Sequence, residues 1–292
     1  MISLLASLFA ALFGLAFGSF LNVCLSRWPA GESVVKPRSH CRACHRTLTW
    51  WENIPLLSWL LLRGRCRTCK QPIPCRYPLV EAAVGLLWGL AFGQFVAWLL
   101  GDAPQDVVAV HAVQCLASMI LLWLLVALAS LDAEHLWLPD WLTIPGAILG
   151  LAAEGLRVWL QASAQTSDTP IPSPFAALAV RTLEALGVAA LILLIRWVYQ
   201  LIRKREGLGM GDAKLMALLT AWLGLPGAML SFVVGVSLGT LAALLVLLKP
   251  RHEGESWAQM KLPLGTFLCA GGIVSALWGQ SIIDLYMRWA GL

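Results

Sequence analysis

Long apolar segments separated by short polar ones are the feature that most constrains this chain. An α-helix needs about 20 mostly apolar residues to cross a bilayer. The sequence contains eight candidates, at residues 2–23, 79–100, 109–131, 141–160, 176–200, 213–225, 227–248 and 263–288. Only 13% of the residues are charged, against about a quarter in soluble proteins. The sequence therefore predicts an all-α polytopic membrane protein with about eight transmembrane helices, and so with membrane lipid around it.

Basic residues predict how these helices are oriented. Of the 21 Lys and Arg, 18 lie in residues 24–80, 196–214 and 249–261. Loops rich in Lys and Arg stay in the cytoplasm, and eight spans that start outside place all three segments there. The opposite loops, 101–106 and 161–174, contain no Lys or Arg. Topology alone accounts for this charge, so we expect no nucleic-acid partner.

Two Cys-x2-Cys pairs occur in the first basic segment, with 21 residues between them. Their residues are Cys41, Cys44, Cys66 and Cys69. Four thiolates form the tetrahedral set that Zn²⁺ prefers, and they leave no open coordination position, so the predicted zinc site is structural. Reduced free thiols and an iron–sulfur cluster are the alternatives.

Three domains follow from the spans and the cysteines. Residues 1–23 are predicted to form an uncleaved first helix, because they lack a basic leading region and Arg27 follows them. Residues 24–78 are expected to form a small cytoplasmic zinc-binding loop domain between the first two helices. Residues 79–292 are expected to form a membrane domain of seven helices. The short span at 213–225 ends beside Pro226, and we expect it to be one arm of a helical hairpin.

Three acids border the membrane on the predicted cytoplasmic side. Asp212 begins the sixth span, Asp132 follows the third, and Asp140 precedes the fourth. Asp212 and Asp140 could each cap a helix N-terminus. Asp132 instead follows an apolar run at a helix C-terminus, where the helix dipole disfavours a negative charge. Acids near the membrane interior are costly and are usually functional.

Two of these acids could form one reaction centre for peptide hydrolysis. An ionised carboxylate would act as general base on a water, while a protonated carboxyl polarises the substrate carbonyl. Gly209 and Gly211 precede Asp212 and would let a substrate backbone approach closely. Asp132 is the stronger candidate for the partner of Asp212, and Asp140, which could instead be a capping or structural acid, stays the alternative.

Two other functions compete with hydrolysis. A proton-coupled transporter would also use membrane acids and broken helices, but it predicts acids at the midplane and an internal repeat. A zinc-dependent scaffold or sensor would use the acids only as helix caps.

Five motifs carry a resemblance to a known family. They are GSFLNVCLSRWP at 18–29, the double Cys-x2-Cys at 41–69, RYPLVE at 76–81, LDAEHLWLPD at 131–140 and GMGDAKL at 209–215. In their order and spacing the chain resembles the type IV prepilin peptidases, also called prepilin leader peptidase/N-methyltransferases, of the GxGD intramembrane aspartyl proteases. The family's two catalytic aspartates correspond to Asp132 and Asp212.

The resemblance implies two activities at the cytoplasmic face of the bacterial inner membrane. One is cleavage of the leader peptide of prepilins and pseudopilins after a glycine. The other is methylation of the new N-terminal amine with S-adenosylmethionine as donor. Glu81 and Asn22 are candidates for methyl transfer because they lie in the matching motifs. The alternative for Glu81 is an ion pair with nearby Arg76.

Overall fold

The described part of the fold consists of long α-helices and of a segment at 28–75 that contains only short helices. The computed structural model describes residues 1–101, 104–164, 173–204, 209–248 and 262–291. Its α-helices are α1 (Ile2–Arg27), α2 (Leu57–Leu61), α3 (Arg76–Leu99), α4 (Val108–His135), α5 (Asp140–Ser163), α6 (Pro174–Arg203), α7 (Met210–Leu247) and α8 (Leu264–Ala290). No β-strand occurs within these described ranges. The predicted all-α class is confirmed.

Six of the described helical segments are long and apolar enough to cross a membrane. They are Ile2–Ala30, Arg76–Leu99, Gln105–His135, Pro174–Arg203, Met210–Val246 and Leu264–Ala290. Helix α5 corresponds to the span predicted at 141–160 but is not among the six, and it carries Glu154 and Arg157 in its second half. The predicted total of eight crossings stays a prediction. The basic loop predicted at 249–261 lies outside the described residues.

Helix α7 contains a break at the place where two spans were predicted to meet. Gly224 has φ 71° and ψ 175°, which is not helical, and Pro226 follows inside the helix. Glycine tolerates this positive φ at no steric cost. The two helical halves, 210–223 and 225–247, match the predicted sixth and seventh spans.

In the first half, Gly211 and the first turn of α8 share the neighbour Leu138, and Leu219 lies against Gly272 farther along α8. In the second half the order is reversed, with Gly227 beside Ser275 and Gly239 beside Phe267. The two halves therefore run in opposite directions along α8, and the break at Gly224 is the turn of the expected helical hairpin.

The chain forms two compact units, Met1–Ala103 and Pro104–Leu292. In the first unit, α1 and α3 lie backbone against backbone. A Cβ on Gly14 would lie 2.8 Å from Gly85 Cα, and a Cβ on Gly18 would lie 2.8 Å from Glu81 Cα. The boundaries predicted at residues 23 and 78 fall inside this unit, and the three-domain division stays a prediction.

The second unit is built around the first half of α7. Leu215, Met216, Leu218 and Leu219 of this half have no exposed surface, and they pack in one cluster with leucines of α4 and with Leu268 of α8. Trp222 Nε1 donates a hydrogen bond to the Gly146 carbonyl of α5 at 2.8 Å. The helix that begins beside Asp212 is therefore held on several sides.

A group of charged side chains lies at the kink in α7. Glu154 Oε1 accepts hydrogen bonds from Arg157 at 2.8 Å and from Arg181 at 3.0 Å. The Arg181 guanidinium lies so close to Gly224 that a Cβ there would overlap it. The cation thus sits at the C-terminal end of the first half of α7, where a positive charge is favourable. No local sequence pattern predicts this group, because its members come from α5 and α6 and meet only in the folded chain.

We predict that Gly224→Ala destabilises the protein, because the new Cβ would overlap Arg181 and would force a non-glycine residue to a φ of 71°. The melting temperature in detergent, followed by intrinsic fluorescence, should fall by about 5 °C. The control is Gly187→Ala in α6, where a Cβ meets nothing within 4 Å and which should melt at or slightly above the wild-type temperature. A Gly224→Ala protein as stable as the wild type would contradict this account of the kink.

Candidate active site and metal centre

Asp132 lies in the last turn of α4, yet its carboxylate is bound by another helix. Its side chain is buried, with the residue 6% exposed. Its Oδ2 accepts a hydrogen bond from the Thr266 backbone N–H at 2.7 Å and lies 3.1 Å from Thr266 Oγ1. Thr266 belongs to the first turn of α8, where backbone N–H groups lack partners inside their own helix. The positive end of α8 therefore offsets the unfavourable position of Asp132 on α4.

Asp212 is the third residue of α7 and is 8% exposed. Its Oδ2 accepts a hydrogen bond from the Gly209 N–H at 3.1 Å. Gly209 is the N-cap residue, so Asp212 supports the helix start from inside the first turn and is not itself the cap. The N-terminal end of α7 stabilises its negative charge.

Leu138 connects the surroundings of the two acids. A Cβ on Gly211 would lie 3.0 Å from Leu138 Cβ, and a Cβ on Gly265 would lie 3.0 Å from Leu138 Cδ1 and 2.9 Å from Asp132 Oδ2. The side chain of Leu138 thus packs beside Asp132 and beside the residue preceding Asp212. The fold brings the two acids singled out from the sequence to one site.

The two glycines before Asp212 have different surroundings. Gly209 is exposed and Gly211 is half-buried. A side chain on Gly211 would contact Leu138 too closely. Glycine is therefore needed at this position to make room for that leucine. Gly209 leaves an open edge beside the Asp212 carboxylate. A docking role for both glycines stays a prediction.

Asp140 lies at the start of α5 in a different setting from the two buried acids. Pro139 is the N-cap, and the α5 start has no side-chain cap hydrogen bond. Asp140 instead pairs with Lys214 Nζ at 2.5 Å, and 60% of its side chain is exposed. It therefore links α5 to α7 as a structural acid, and the capping alternative for Asp140 is wrong. The sequence feature that could have indicated this ion pair is the basic residue Lys214, two residues after Asp212.

The four predicted metal ligands lie together in the first unit. The Sγ atoms of Cys41, Cys44, Cys66 and Cys69 all lie within 4.8 Å of one another. Cys41 Sγ and Cys69 Sγ are 3.7 Å apart. A tetrahedral zinc site with Zn–S bonds of about 2.3 Å has S–S edges of about 3.8 Å. The cluster fits a structural zinc ion, which would cross-link this segment through four thiolates.

The two cysteine pairs repeat the same local geometry. Cys41 N–H donates to Arg46 O at 2.9 Å, and Cys66 N–H donates to Gln71 O at 2.8 Å. The residue after the second cysteine of each pair has a left-handed backbone, with φ 55° at His45 and φ 59° at Lys70. This repeated turn directs both thiols of each pair to one side.

Polar contacts prepare the segment for a metal. Backbone N–H groups of Cys69 and Thr68 lower the pKa of the Cys66 thiol, whereas the pKa of the neighbouring Cys69 thiol is raised, so Cys66 is the thiol of this pair that is favoured as a metal-binding thiolate. Glu52 is buried and accepts a hydrogen bond from Arg46 at 2.5 Å. The Arg46 hydrogen bond, with further donors from Thr49, lowers the pKa of Glu52 to about 2. Glu52 therefore holds the turn that follows the first cysteine pair.

Glu81 and Asn22 also meet inside the first unit. Glu81 is 7% exposed, and its Oε2 accepts a hydrogen bond from the Leu56 N–H at 2.8 Å. Asn22 Nδ2 donates to Tyr77 O at 2.9 Å, and the Asn22 side chain lies near the Glu81 carboxylate. Asn22 Oδ1 is buried and has no hydrogen-bond partner among the described residues. A buried acceptor of this kind suits a ligand that brings a donor.

Comparisons with known proteins agree over nearly the whole chain. Residues 12–95 match the family model described as Bacterial Peptidase A24 N-terminal domain, and residues 119–244 match the Type IV leader peptidase family. The chain is 35% identical to the Prepilin leader peptidase/N-methyltransferase of Stutzerimonas stutzeri, over 97% of this chain and 94% of that protein. It is 34% identical to the protein of the same name from Pseudomonas aeruginosa, over 96% and 93%. No solved structure matches it.

We predict that the purified protein contains about one zinc ion per chain, and that Cys41→Ser combined with Cys66→Ser removes it, because one thiolate is lost from each pair. Metal content is measured by inductively coupled plasma mass spectrometry. Amide hydrogen exchange in residues 39–75 should become faster as the cross-link is lost. Cys115→Ser in α4 is the control and should keep its zinc. Iron in place of zinc, or zinc retained by the double variant, would contradict the assignment.

Proposed function

Because the chain belongs to the type IV leader peptidase family, we propose that Asp132 and Asp212 are the catalytic pair with which it cleaves prepilin leaders. The protein is a prepilin leader peptidase and N-methyltransferase, and its substrates are type IV prepilins. The observation that carries the residue assignment is the burial of both acids at one site, each held by a backbone N–H at a helix start.

The hydrogen bonds of the two acids support a division of labour between their oxygens. Protein N–H groups occupy Oδ2 of Asp132 and of Asp212. Within the described part of the chain no hydrogen bond reaches Oδ1 of either acid, so this oxygen would face water and substrate. One ionised carboxylate would take a proton from the attacking water, while the other, protonated, would donate a hydrogen bond to the scissile carbonyl. The proton gained from water would then pass to the leaving amine as the tetrahedral intermediate collapses.

The approach of the substrate depends on the open edge before Asp212. We propose that the extended backbone around the scissile bond docks along Gly209 and Gly211. The exposure of Gly209 supports this route, because a substrate backbone can come close to a residue that has no side chain. The packing of Gly211 on Leu138 would keep that edge rigid.

The protein is a multi-pass protein of the bacterial inner membrane. We further propose that its N-terminus is periplasmic and that the Asp132–Asp212 site faces the cytoplasm. The concentration of Lys and Arg in three segments on one side of the predicted topology supports this orientation. The transporter alternative has no support, because the family and the relatives' shared name describe a peptidase and methyltransferase.

Methyl transfer uses S-adenosylmethionine, as the name shared by the relatives implies. When bound, this cofactor supplies an activated methyl group on a positively charged sulfur. We propose that Glu81 and Asn22 hold it. The buried Glu81 carboxylate would offset the positive charge, and the unpartnered Asn22 Oδ1 would accept a hydrogen bond. This acceptor is the observation in the first unit that supports the placement.

We predict that Asp132→Asn and Asp212→Asn each abolish leader cleavage, because an amide can neither act as base nor share the proton of the pair. Cleavage of a purified prepilin is followed by mass spectrometry of the product. Asp140→Asn is the matched control and should retain activity, because its ion pair with Lys214 is largely exposed. Full cleavage by the Asp132→Asn protein would contradict the assignment of Asp132 to the catalytic pair.

We predict that Glu81→Gln lowers methyl transfer about tenfold or more while cleavage continues, because only methyl transfer needs the negative charge at Glu81. Methylation is measured by mass spectrometry on a pilin whose leader has already been removed. Glu32→Gln, an exposed acid in the same unit, is the control. Equal rates of methyl transfer in wild type and Glu81→Gln would exclude Glu81 from that site.

A further inference from the structure

Thr266 contacts Asp132 in a way that a simple helix start does not require. The hydrogen bond from its backbone N–H to Asp132 Oδ2, at 2.7 Å, would by itself give this N–H of the first turn of α8 a partner and hold the carboxylate. Its side-chain Oγ1 lies 3.1 Å from the same Oδ2 and also 3.1 Å from the Ala129 carbonyl of α4. A threonine hydroxyl carries one proton, so it can donate to only one of these two oxygens at a time.

We propose that Thr266 is a positioning residue for leader cleavage, which holds Asp132 Oδ2 in both protonation states and so presents Oδ1 to the attacking water. This inference rests on the proposed role of Asp132 in the catalytic pair.

The two acceptors of the hydroxyl correspond to the two states of Asp132. When Asp132 is ionised, both the N–H and the O–H of Thr266 donate to Oδ2. When Oδ2 carries a proton, the Thr266 hydroxyl turns to donate to Ala129 O and accepts the proton of Asp132 in a hydrogen bond. The hydroxyl therefore makes a hydrogen bond to Asp132 at each stage of a reaction in which the acid gains and loses a proton. In either state Asp132 Oδ2 keeps its hydrogen bonds to both the backbone N–H and the hydroxyl of Thr266.

The residue before Thr266 allows this close approach. A Cβ on Gly265 would lie 2.9 Å from Asp132 Oδ2, so any side chain there would displace the carboxylate or α8. Gly265 thus leaves space for the Asp132 carboxylate, and Thr266 places a hydroxyl within hydrogen-bond distance of it. Because Thr266 also contacts Ala129, it fixes the carboxylate relative to the backbone of α4.

The test compares Thr266→Val with Thr266→Ser in the full-length protein, because valine keeps the shape and the backbone N–H but removes the hydroxyl, which serine restores. For prepilin cleavage we expect Thr266→Val to lower kcat about ten- to a hundredfold, the range for a lost hydrogen bond to a charged catalytic group. KM should change by less than about threefold, and Thr266→Ser should stay within about threefold of wild type. Methyl transfer to a pilin already lacking its leader is measured on the same preparations and should be unchanged.

The control is Thr220→Val in α7, because Thr220 is buried and its hydroxyl donates within its own helix to the Met216 carbonyl, at 2.8 Å. It should cleave at the wild-type rate. Wild-type kcat in Thr266→Val would overturn the proposal. So would a parallel loss of cleavage and methyl transfer that serine does not restore, because that pattern indicates a structural role. Asp132→Asn, assayed alongside, separates the two claims: an active Asp132→Asn protein contradicts the catalytic pair itself.

Discussion

The hydrogen bond between the Asp132 carboxylate and the start of α8 is the interaction on which the arrangement of the second unit depends. A buried carboxylate at the membrane edge is costly unless donors satisfy it. The unpaired N–H groups of a helix start supply such donors, but only if α4 ends where α8 begins. Thr266 provides the contact, and Gly265 gives the carboxylate room. Asp212 meets the same requirement more simply, because it lies on the helix whose start it supports.

The same constraint explains the small and apolar residues around the site. Gly211 and Gly265 both lack side chains where Leu138 packs, so the loop between α4 and α5 can pack close to both acids. Lys214 and Asp140 then tie α5 to the start of α7 at the exposed rim. Farther along α7, Arg181 lies against the kink at Gly224. The first half of α7 is thus held near both of its ends, and Asp212 is placed by the whole segment.

Some of this structure could be predicted from the sequence because the signals are local. Apolar runs of membrane length marked most of the helices, and the Cys-x2-Cys spacing marked a cluster whose geometry resides in two short turns. Asp132 and Asp212 could be paired because topology put both at one membrane face. Thr266 could not be linked to Asp132, since 134 residues separate them and only tertiary packing joins them. The Arg181 contact with Gly224 and the pairing of Asp140 with Lys214 were missed for the same reason, and helix-start propensity misassigned Asp140 as a possible cap.

The central claim is that Asp132 and Asp212 act as one reaction centre, and the residual cleavage rate of the Asp132→Asn/Asp212→Asn double variant tests it most directly. When two residues act as a unit, replacing the second lowers the cleavage rate little further once the first has been replaced. We expect the double variant to be no slower than the slower of the two single variants, in long incubations with prepilin quantified by mass spectrometry. A double variant slower by the product of the two single effects would show that the two acids act independently, and would contradict the account.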